Sequence, residues 1–401
     1  MKQDSVFFHI DVNSAFLSWE AARRLREDPH AIDIREVPCA VGGDESKRHG
    51  IILAKSIPAK KYGIITGESI NEALRKYPEL QIIPPDYRLY CECSDAFMNI
   101  LKDYSPDIEK FSIDEAFVDV SGTRRLFGEP LQLAHTIKDR IRDELGFTVN
   151  IGISDVKFLA KIASDFTKPD RVHTLYKAEI KDKMWPLPVS DLLYVGKSTK
   201  SVLSRLGIKT IGELANTDIS ILRSNLKSHG EFIWNMANGE EASIIDRDTP
   251  VNKGYSNSTT IEFDITDASS ARMVLLSLCE NVTRRLRQNG EKCQMVSVEI
   301  KDYNLHVVSH QKMLENATNI TREVYEASVE LFDELWDGIP IRLLGVRVSK
   351  LNDNDLRQLT LFDNTDYEKL MAADKVMDDI RNKFGTSYIK RASFLDNNSK
   401  K

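Results

Sequence analysis

Long apolar runs are missing from this 401-residue chain. No stretch approaches the ~18 uncharged apolar residues that a membrane helix needs, so no membrane span is expected. The first dozen residues, MKQDSVFFHIDV, turn acidic almost at once and hold no long apolar core. A secretory leader is therefore not expected, and the cytoplasm is the expected location. Cysteine is scarce: five residues, an odd count that does not suggest a disulfide framework. Cys91 and Cys93 stand too close for a zinc knuckle, and no second Cys/His pair completes one. Nor is there an excess of positive charge, since the formal net charge is -6. An average hides local sign, however. Residues 168–209 carry nine Lys/Arg against four acids, a local balance of +5.

What is present reads as a soluble globular chain, 41% hydrophobic and 29% charged. That length exceeds one ordinary core, so about two to four domains are expected. The first block, to residue 167, has strand-like runs at 6–12, 111–120 and 148–153, with helical patterns between them. A helix at 14–26 follows its strand with hardly a loop. Inside this block, residues 37–80 are Gly-rich and basic and look inserted. Residues 168–239 hold short helices separated by glycines, and 240–250 is a polar connector. The third block, 251–351, reads as strand, helix, two strands, helix, strand. Leu275, Cys279, Val282 and Leu286 form the stripe of its first helix, and Ile320, Val324, Ala327, Leu331 and Leu335 that of its second. This β-α-β-β-α-β order makes a split sandwich with one sheet face uncovered. Arg347 falls on that face, where it suits a phosphate backbone. In the tail, Leu370, Ala373, Met377, Ile380 and Phe384 predict an amphipathic helix ended by Gly385.

Chemistry is concentrated in FSIDEAFVDV, residues 111–120. Adjacent Asp114 and Glu115 interrupt an apolar strand, and neighbouring strand residues point to opposite faces. Both serve one site only at a bend or hairpin. Buried acids need compensation, which a hard cation such as Mg²⁺ provides. Asp11 ends a second apolar strand, FFHIDV, just before a helix. Together the three acids would hold two metals about 3.5–4 Å apart, the arrangement for in-line phosphoryl transfer. The helix starting at Ser14 and Ala15 offers free N–H groups and a positive dipole end to a triphosphate.

HIDVNSAFLSWE, FSIDEAFVDVSG and VNIGISDVKFLAKIASDFTKPD resemble, in order and spacing, the palm signatures of Y-family translesion DNA polymerases. Within that family the motifs resemble those of the bacterial polymerase IV and UmuC branches. The resemblance continues through YSNSTT and IRLLGVRVSKL, and implies an α+β, multidomain right-hand polymerase. Its palm would be 1–36 and 81–167, with small fingers inserted at 37–80. A helix-hairpin-helix thumb at 168–239 and the linker 240–250 would lead to a little finger at 251–351 and a tail at 352–401. The resemblance implies Asp11 and Asp114 as ligands of both metals, Glu115 on the catalytic metal, and the Val12 carbonyl as a further ligand. The cofactor would be two Mg²⁺, with Mn²⁺ able to substitute. Phe16 would be the steric gate under the sugar, and Lys168 would bind the triphosphate.

Three departures stand out. Asn13 replaces an Asp common in relatives, although the UmuC type shares the Asn. Ile57 and Lys60 stand where fingers usually offer Tyr and Arg. Lys60 supplies a point charge rather than a bidentate fork, with Ser56 or Lys55 as further contributors. LLYVGKSTKSVLSRLGIKTIGEL resembles the thumb's DNA-gripping turns, but Tyr194 takes the place of the first glycine. Gly196, Lys197 and Gly207 remain as expected phosphate contacts. Finally, QLTLF at 358–362 resembles a sliding-clamp peptide, with Gln358, Leu361 and Phe362 as its contacts.

The implied activity is template-directed, error-prone dNTP addition to a primer 3′-hydroxyl without a proofreading exonuclease. Primer–template DNA, dNTP and a clamp are the expected partners of a monomer near the nucleoid. A nucleotidyl cyclase shares a two-acid palm but has no need of duplex-gripping turns. A non-catalytic accessory protein has no need of three intact acids.

Overall fold

The computed structural model describes residues 5–43, 50–240, 245, 252–353, 357–358, 366–386 and 388–392. The described residues form two compact units, one up to residue 245 and one from residue 252 onward.

The first unit opens with β1 (Phe7–Val12), buried along its whole length, and α1 (Ala15–Glu27). Next come β2 (Cys39–Gly42), β3 (Ile52–Lys55), α2 (Ile57–Lys61), α3 (Ile70–Lys76) and β4 (Gln81–Ile83). These strands make a small sheet of order β3-β2-β4 with its own core around Ile52, Ala59, Ile70 and Leu80. Because β4 pairs in parallel with β2, this small sheet extends to Ile83. The chain then returns through α4 (Tyr87–Lys102), β5 (Ile108–Lys110), β6 (Glu115–Asp119), α5 (Arg124–Phe127) and α6 (Pro130–Leu145). It completes the main sheet with β7 (Val149–Ser154), α7 (Lys157–Ser164) and β8 (Val172–Thr174).

The main sheet has the order β5-β6-β1-β7-β8, so β1 is central and antiparallel to both neighbours. Strand alternation divides β1 between two faces. Phe8, Ile10 and Val12 join the larger core with Trp19, Tyr90, Phe97 and Ile137, whereas Phe7 packs with Phe117 and Ala160 of α7. His9 and Asp11 share that second face. Gly152 of β7 lies opposite His9. A Cβ there would sit 1.9 Å from the Ala160 carbonyl oxygen, so only glycine lets α7 lie this close to the sheet. The unit ends in α8 (Lys197–Arg205), α9 (Ile211–Ala215), α10 (Ile219–Leu226) and α11 (Ser228–Ala237), packed around Leu203, Ile211, Leu214, Leu222 and Ile233.

The second unit contains β9 (Gly254–Ile265), α12 (Ala268–Gln288), β10 (Lys292–Asp302), β11 (Val307–Thr318), α13 (Thr321–Leu335) and β12 (Ile341–Asn352). This is the β-α-β-β-α-β order read from the stripes. Its antiparallel sheet runs β11-β10-β12-β9. Both helices bury their stripes against one face, with Leu275, Val282, Val324 and Leu331 in a shared core.

The tail helix, α14 (Tyr367–Phe384), forms where its periodicity predicts and ends at Gly385, whose φ of +99° is a left-handed stop. Its docking face differs from the apolar stripe. Asp374 and Asp378 are buried, whereas Ala373 and Phe384 are exposed. Arg287 Nε of α12 donates to Asp378 Oδ2 at 2.7 Å, and its Nη1 to Asp374 Oδ2 at 3.3 Å. Arg381 and Arg391 reach back to Glu280 at 2.9 and 2.5 Å. Paired charges, rather than a greasy seam, hold α14 in place.

Candidate active site

The two acidic motifs meet because β1 and β6 pair with Asp11 opposite Glu115. Phe111 to Asp114 forms the hairpin between β5 and β6, closed by the Phe111 and Ser112 N–H groups donating to the Glu115 carbonyl. The run 111–120 is therefore not one strand: its first four residues are the turn. Glu115 begins β6, Asp114 is freed from strand alternation, and the Val12 N–H donates to the Asp114 carbonyl at 3.0 Å. Ser112 Oγ donates to Asp114 Oδ1 at 2.6 Å, steadying that carboxylate.

Asp11, Val12, Asn13, Ser14, Ala15, Phe16, Asp114 and Lys168 all line one cavity of about 400 Å³, together with Lys55, Ser56, Ile57 and Lys60 of the small sheet's end. Glu115 sits behind this wall. Ser14, at the start of α1, has a left-handed φ of 47°, and its side chain caps nothing. A non-glycine residue in that region stores about 1–3 kcal/mol. Ser14 and Ala15 line the cavity at the start of α1, and helix starts offer N–H donors to anions in general. Ser56 instead caps α2, accepting from the Ala59 N–H, and donates to the Val37 carbonyl at 2.7 Å. Its hydroxyl proton is thus committed to the backbone.

Electrostatics of the cavity turn on two lysines. Lys168 Nζ lies 2.8 Å from both Asp11 Oδ1 and Asp165 Oδ1. Lys161 Nζ lies 2.8 Å from Glu115 Oε1, against the face of Phe111. Burial pushes the Asp11 carboxyl up to about 7, against the pull of Lys168, and nearby Glu115 adds to the rise. Burial also opposes the Lys168 ammonium, but Asp11 and Asp165 together more than offset it, and the lysine's pKa rises. His9 is held well below its ordinary value by burial, then by Lys161 and Lys168. It is therefore neutral at pH 7. Its Nδ1 is 2.8 Å from Ser164 Oγ, and its Nε2 lies 3.9 Å from Glu115 Oε2.

Lys161 and His9 were not singled out from the sequence. Both sit in quoted motifs, yet only strand pairing and the seat of α7 reveal that they face Glu115. Asn13 finds its explanation in the same way. Its Oδ1 accepts from Thr148 Oγ1 at 3.0 Å and from the Asp170 N–H at 2.9 Å. Its Nδ2 donates to Asn150 Oδ1 at 3.2 Å, and Asn150 in turn holds the Ser164 and Thr167 carbonyls. An aspartate cannot donate to Asn150. Asn13 thus fastens the loop that carries Lys168.

Among the described residues, no group of three or more His, Cys, Asp or Glu side chains forms a ready metal cage. Mg²⁺ characteristically takes one or two carboxylates with substrate phosphates rather than an all-protein cage. The hard oxygens of Asp11, Asp114 and Val12 on an open cavity fit that chemistry.

Elsewhere, Gly196 and Lys197 open α8 at the surface, and Gly207 is exposed with a φ of +81°. Tyr194, in place of a glycine, has a φ of 69°. It keeps the left-handed turn and lays its ring edge-on to Phe232 at 5.2 Å. In the second unit, Arg347 stands exposed on the uncovered sheet face among Ser256, Ser258, Ser297 and Gln311, with Glu299 as the acid there. Gln358 pairs by its backbone with the Asn316 side chain. Leu361 and Phe362 lie outside the described residues. Among those residues, no helix is long and apolar enough to cross a membrane.

Residues 10–165 match the impB/mucB/samB family, and residues 252–361 match its C-terminal domain. DNA polymerase IV of Clostridium acetobutylicum is 48% identical over 395 residues, covering 98% of this chain and 99% of that protein. DNA polymerase IV 2 of Bacillus subtilis is 38% identical over 403 residues, covering 98% and 96%. A solved Y-family DNA polymerase chimera shares the fold, with a TM-score of 0.74 at 20% identity, over 87% of this chain and 100% of the chimera. The catalytic-motif half and the split sandwich thus both have counterparts across full-length relatives, and the chain belongs to the impB/mucB/samB family, the Y-family DNA polymerases of the polymerase IV type.

Proposed function

We propose that this polymerase copies DNA templates, damaged ones included, by adding dNTP units to a primer 3′-hydroxyl with divalent metals at Asp11, Val12, Asp114 and Glu115. One observation carries the reading: two acids, the first residues of α1 and three lysines line a single cavity. Bound at the acids, two Mg²⁺ ions would activate the primer hydroxyl and neutralise the departing diphosphate, with Mn²⁺ able to substitute.

The protein's own groups prepare that chemistry. Lys168 neutralises Asp11 before substrate arrives, and the incoming triphosphate offers it a second anionic partner. Lys55 and Lys60 supply positive charge on the opposite wall, and the Ser14–Ala15 amides supply donors. Phe16, lining the cavity one turn beyond Asp11, lies under the sugar and leaves no room for a 2′-hydroxyl. Lys161 holds Glu115 from behind, and neutral His9 is fixed by Ser164 beside it.

In this reading, 1–36 and 81–167 are palm, 37–80 fingers, 168–239 thumb and 251–351 little finger. Gly196, Lys197 and Gly207 meet DNA phosphates, and so does Arg347. Residues 358–362 engage a sliding clamp, and the enzyme acts as a cytoplasmic, nucleoid-associated monomer. Primer extension tests the core of this. Asp114→Asn should lower the single-turnover rate by about a thousandfold, the equivalent of about 4 kcal/mol, with primer–template affinity unchanged. Extension near the wild-type rate by a folded variant would refute the assignment.

A further inference from the structure

The wall behind Phe16 is unusually well fixed. Phe16 and Glu20 lie four residues apart on α1 and so share a face of the helix. Both hold Tyr90 of α4. The Tyr90 ring stacks on Phe16 with centroids 4.4 Å apart and only 7° between planes. Its hydroxyl donates to Glu20 Oε1 at 3.1 Å. Glu20 is fully buried and takes a second bond from Arg23 at 2.8 Å, while Arg23 also reaches Asp86, the cap of α4. Burial pushes the Tyr90 phenol up, which keeps it a donor. Trp19 and Tyr87 flank Phe16 at 5.8 and 6.2 Å. Phe16 lines the cavity, whereas Tyr90 is fully buried and touches no part of it.

A gate that works by collision is only as strong as the wall that stops it swinging away. A phenylalanine on a helix can yield by turning about its side-chain torsions, and small departures from a rotamer are cheap. We propose that Tyr90 is the backstop of the sugar-selecting gate. By stacking flat on Phe16 and being tied to Glu20, it prevents the ring from retreating before a 2′-hydroxyl. This rests on Phe16 being the gate. Tyr90 is then a positioning residue that sets the ribonucleotide barrier without touching substrate.

The test compares single-nucleotide incorporation of dCTP and CTP opposite a template G. The proteins are wild type, Phe16→Ala, Tyr90→Phe, Tyr90→Leu and the double variant Phe16→Ala/Tyr90→Leu, each with a thermal melt. Tyr90→Leu should lower the ratio of kcat/KM for dCTP over CTP by about tenfold, the factor that loss of one good ring stack permits. The change should come from faster CTP use, with dCTP kcat/KM within about threefold of wild type. Tyr90→Phe keeps the ring but loses the tie to Glu20 and should lower the ratio by less, about two- to threefold, and the double variant should match Phe16→Ala alone. A general loss of packing would lower both nucleotides together and leave the ratio in place. If Tyr90→Leu does not fold, Tyr90→Met refills the space with a flexible chain and is read in the same way. An unchanged ratio in a folded Tyr90→Leu or Tyr90→Met, beside a collapsed ratio in Phe16→Ala, would overturn the backstop and leave the gate standing. An unchanged ratio in Phe16→Ala would remove the gate and the backstop together.

Discussion

Gly152→Ala adds one methyl group, far from any surface, at the point where α7 crosses the central sheet. The new Cβ would stand 1.9 Å from the Ala160 carbonyl oxygen, 2.5 Å from the Ser164 nitrogen and 2.9 Å from the Ala163 Cβ. Two of these neighbours are backbone and cannot rotate aside, so α7 must lift by about 1 Å to restore ordinary contact. Overpacking of this kind costs about 1–3 kcal/mol. In a unit of this size, that is a fall in Tm of roughly 3–10 °C. The larger consequence is chemical. α7 carries Lys161 and Ser164, which hold Glu115 and His9 at 2.8 Å. A displacement of about 1 Å at a catalytic group costs on the order of a hundredfold in rate. Single-turnover dNTP incorporation should therefore fall by about that factor, with primer–template affinity by anisotropy within about threefold of wild type. Gly122→Ala is the control, since a Cβ there meets nothing within 4 Å. A Gly152→Ala protein with unchanged Tm and a rate within about threefold of wild type would show that α7's closeness does not position Glu115.

Metal affinity should depend on pH, because the Asp11 carboxyl is raised to about 7 by burial. A folded pKa above the unfolded one means that metal-free stability falls as pH rises from about 4 to 7. Cation binding must displace that proton, so Mn²⁺ affinity by calorimetry should drop about tenfold per unit below pH 7, and a flat profile from pH 5.5 to 8 would contradict it. Asn13→Asp removes the donor to Asn150 and sets another acid beside Asp11, which should cost about 1–3 kcal/mol in a melt at pH 8 and less at pH 5. Equal losses at both pH values would refute the electrostatic part. Arg347→Ala should reduce the salt slope of primer–template binding by about one, and an unaltered slope would take Arg347 off the phosphate backbone. Arg287→Met leaves Asp374 and Asp378 without their shared partner and should destabilise the second unit by about 3–5 kcal/mol, measurable by denaturant titration.

Local pattern carried much of this structure into view. FFHIDV is mostly apolar and buried along its whole length because β1 is central in its sheet, and Asp11 near its end stands out as a site residue. Adjacent Asp114 and Glu115 demanded a bend, and the β5–β6 hairpin supplies it. In the second unit, alternating Val296, Val298 and Ile300 set the register directly. The hidden parts depend on partners distant in sequence. His9 reads as one more strand residue until β7 and α7 are in place. Lys161 looks like a solvated lysine in a helix until β6 brings Glu115 beneath it. The tail helix formed where its stripe placed it, but the stripe, with Leu370, Met377 and Ile380 only half-buried, did not name the partner. Arg287, half hidden on α12, turned the carboxylate side of α14 inward instead.

That inward-turned side has a consequence for where the second unit ends. The main-chain nitrogen of Thr321, first residue of α13, gives its hydrogen to Asp374 Oδ2 at 2.8 Å, while Ile320 at the cap position offers no side-chain oxygen. A helix inside the sheet domain is thus terminated by a residue more than fifty positions downstream, beyond the 252–361 span of the family match. Cutting the chain at that span would strip α13 of its cap, take both carboxylate partners from Arg287 and take both arginine partners from Glu280. The hydrogen bonds that close the second unit run through Arg391. A domain boundary drawn from shared sequence and one drawn from closed hydrogen bonds differ here by a whole helix.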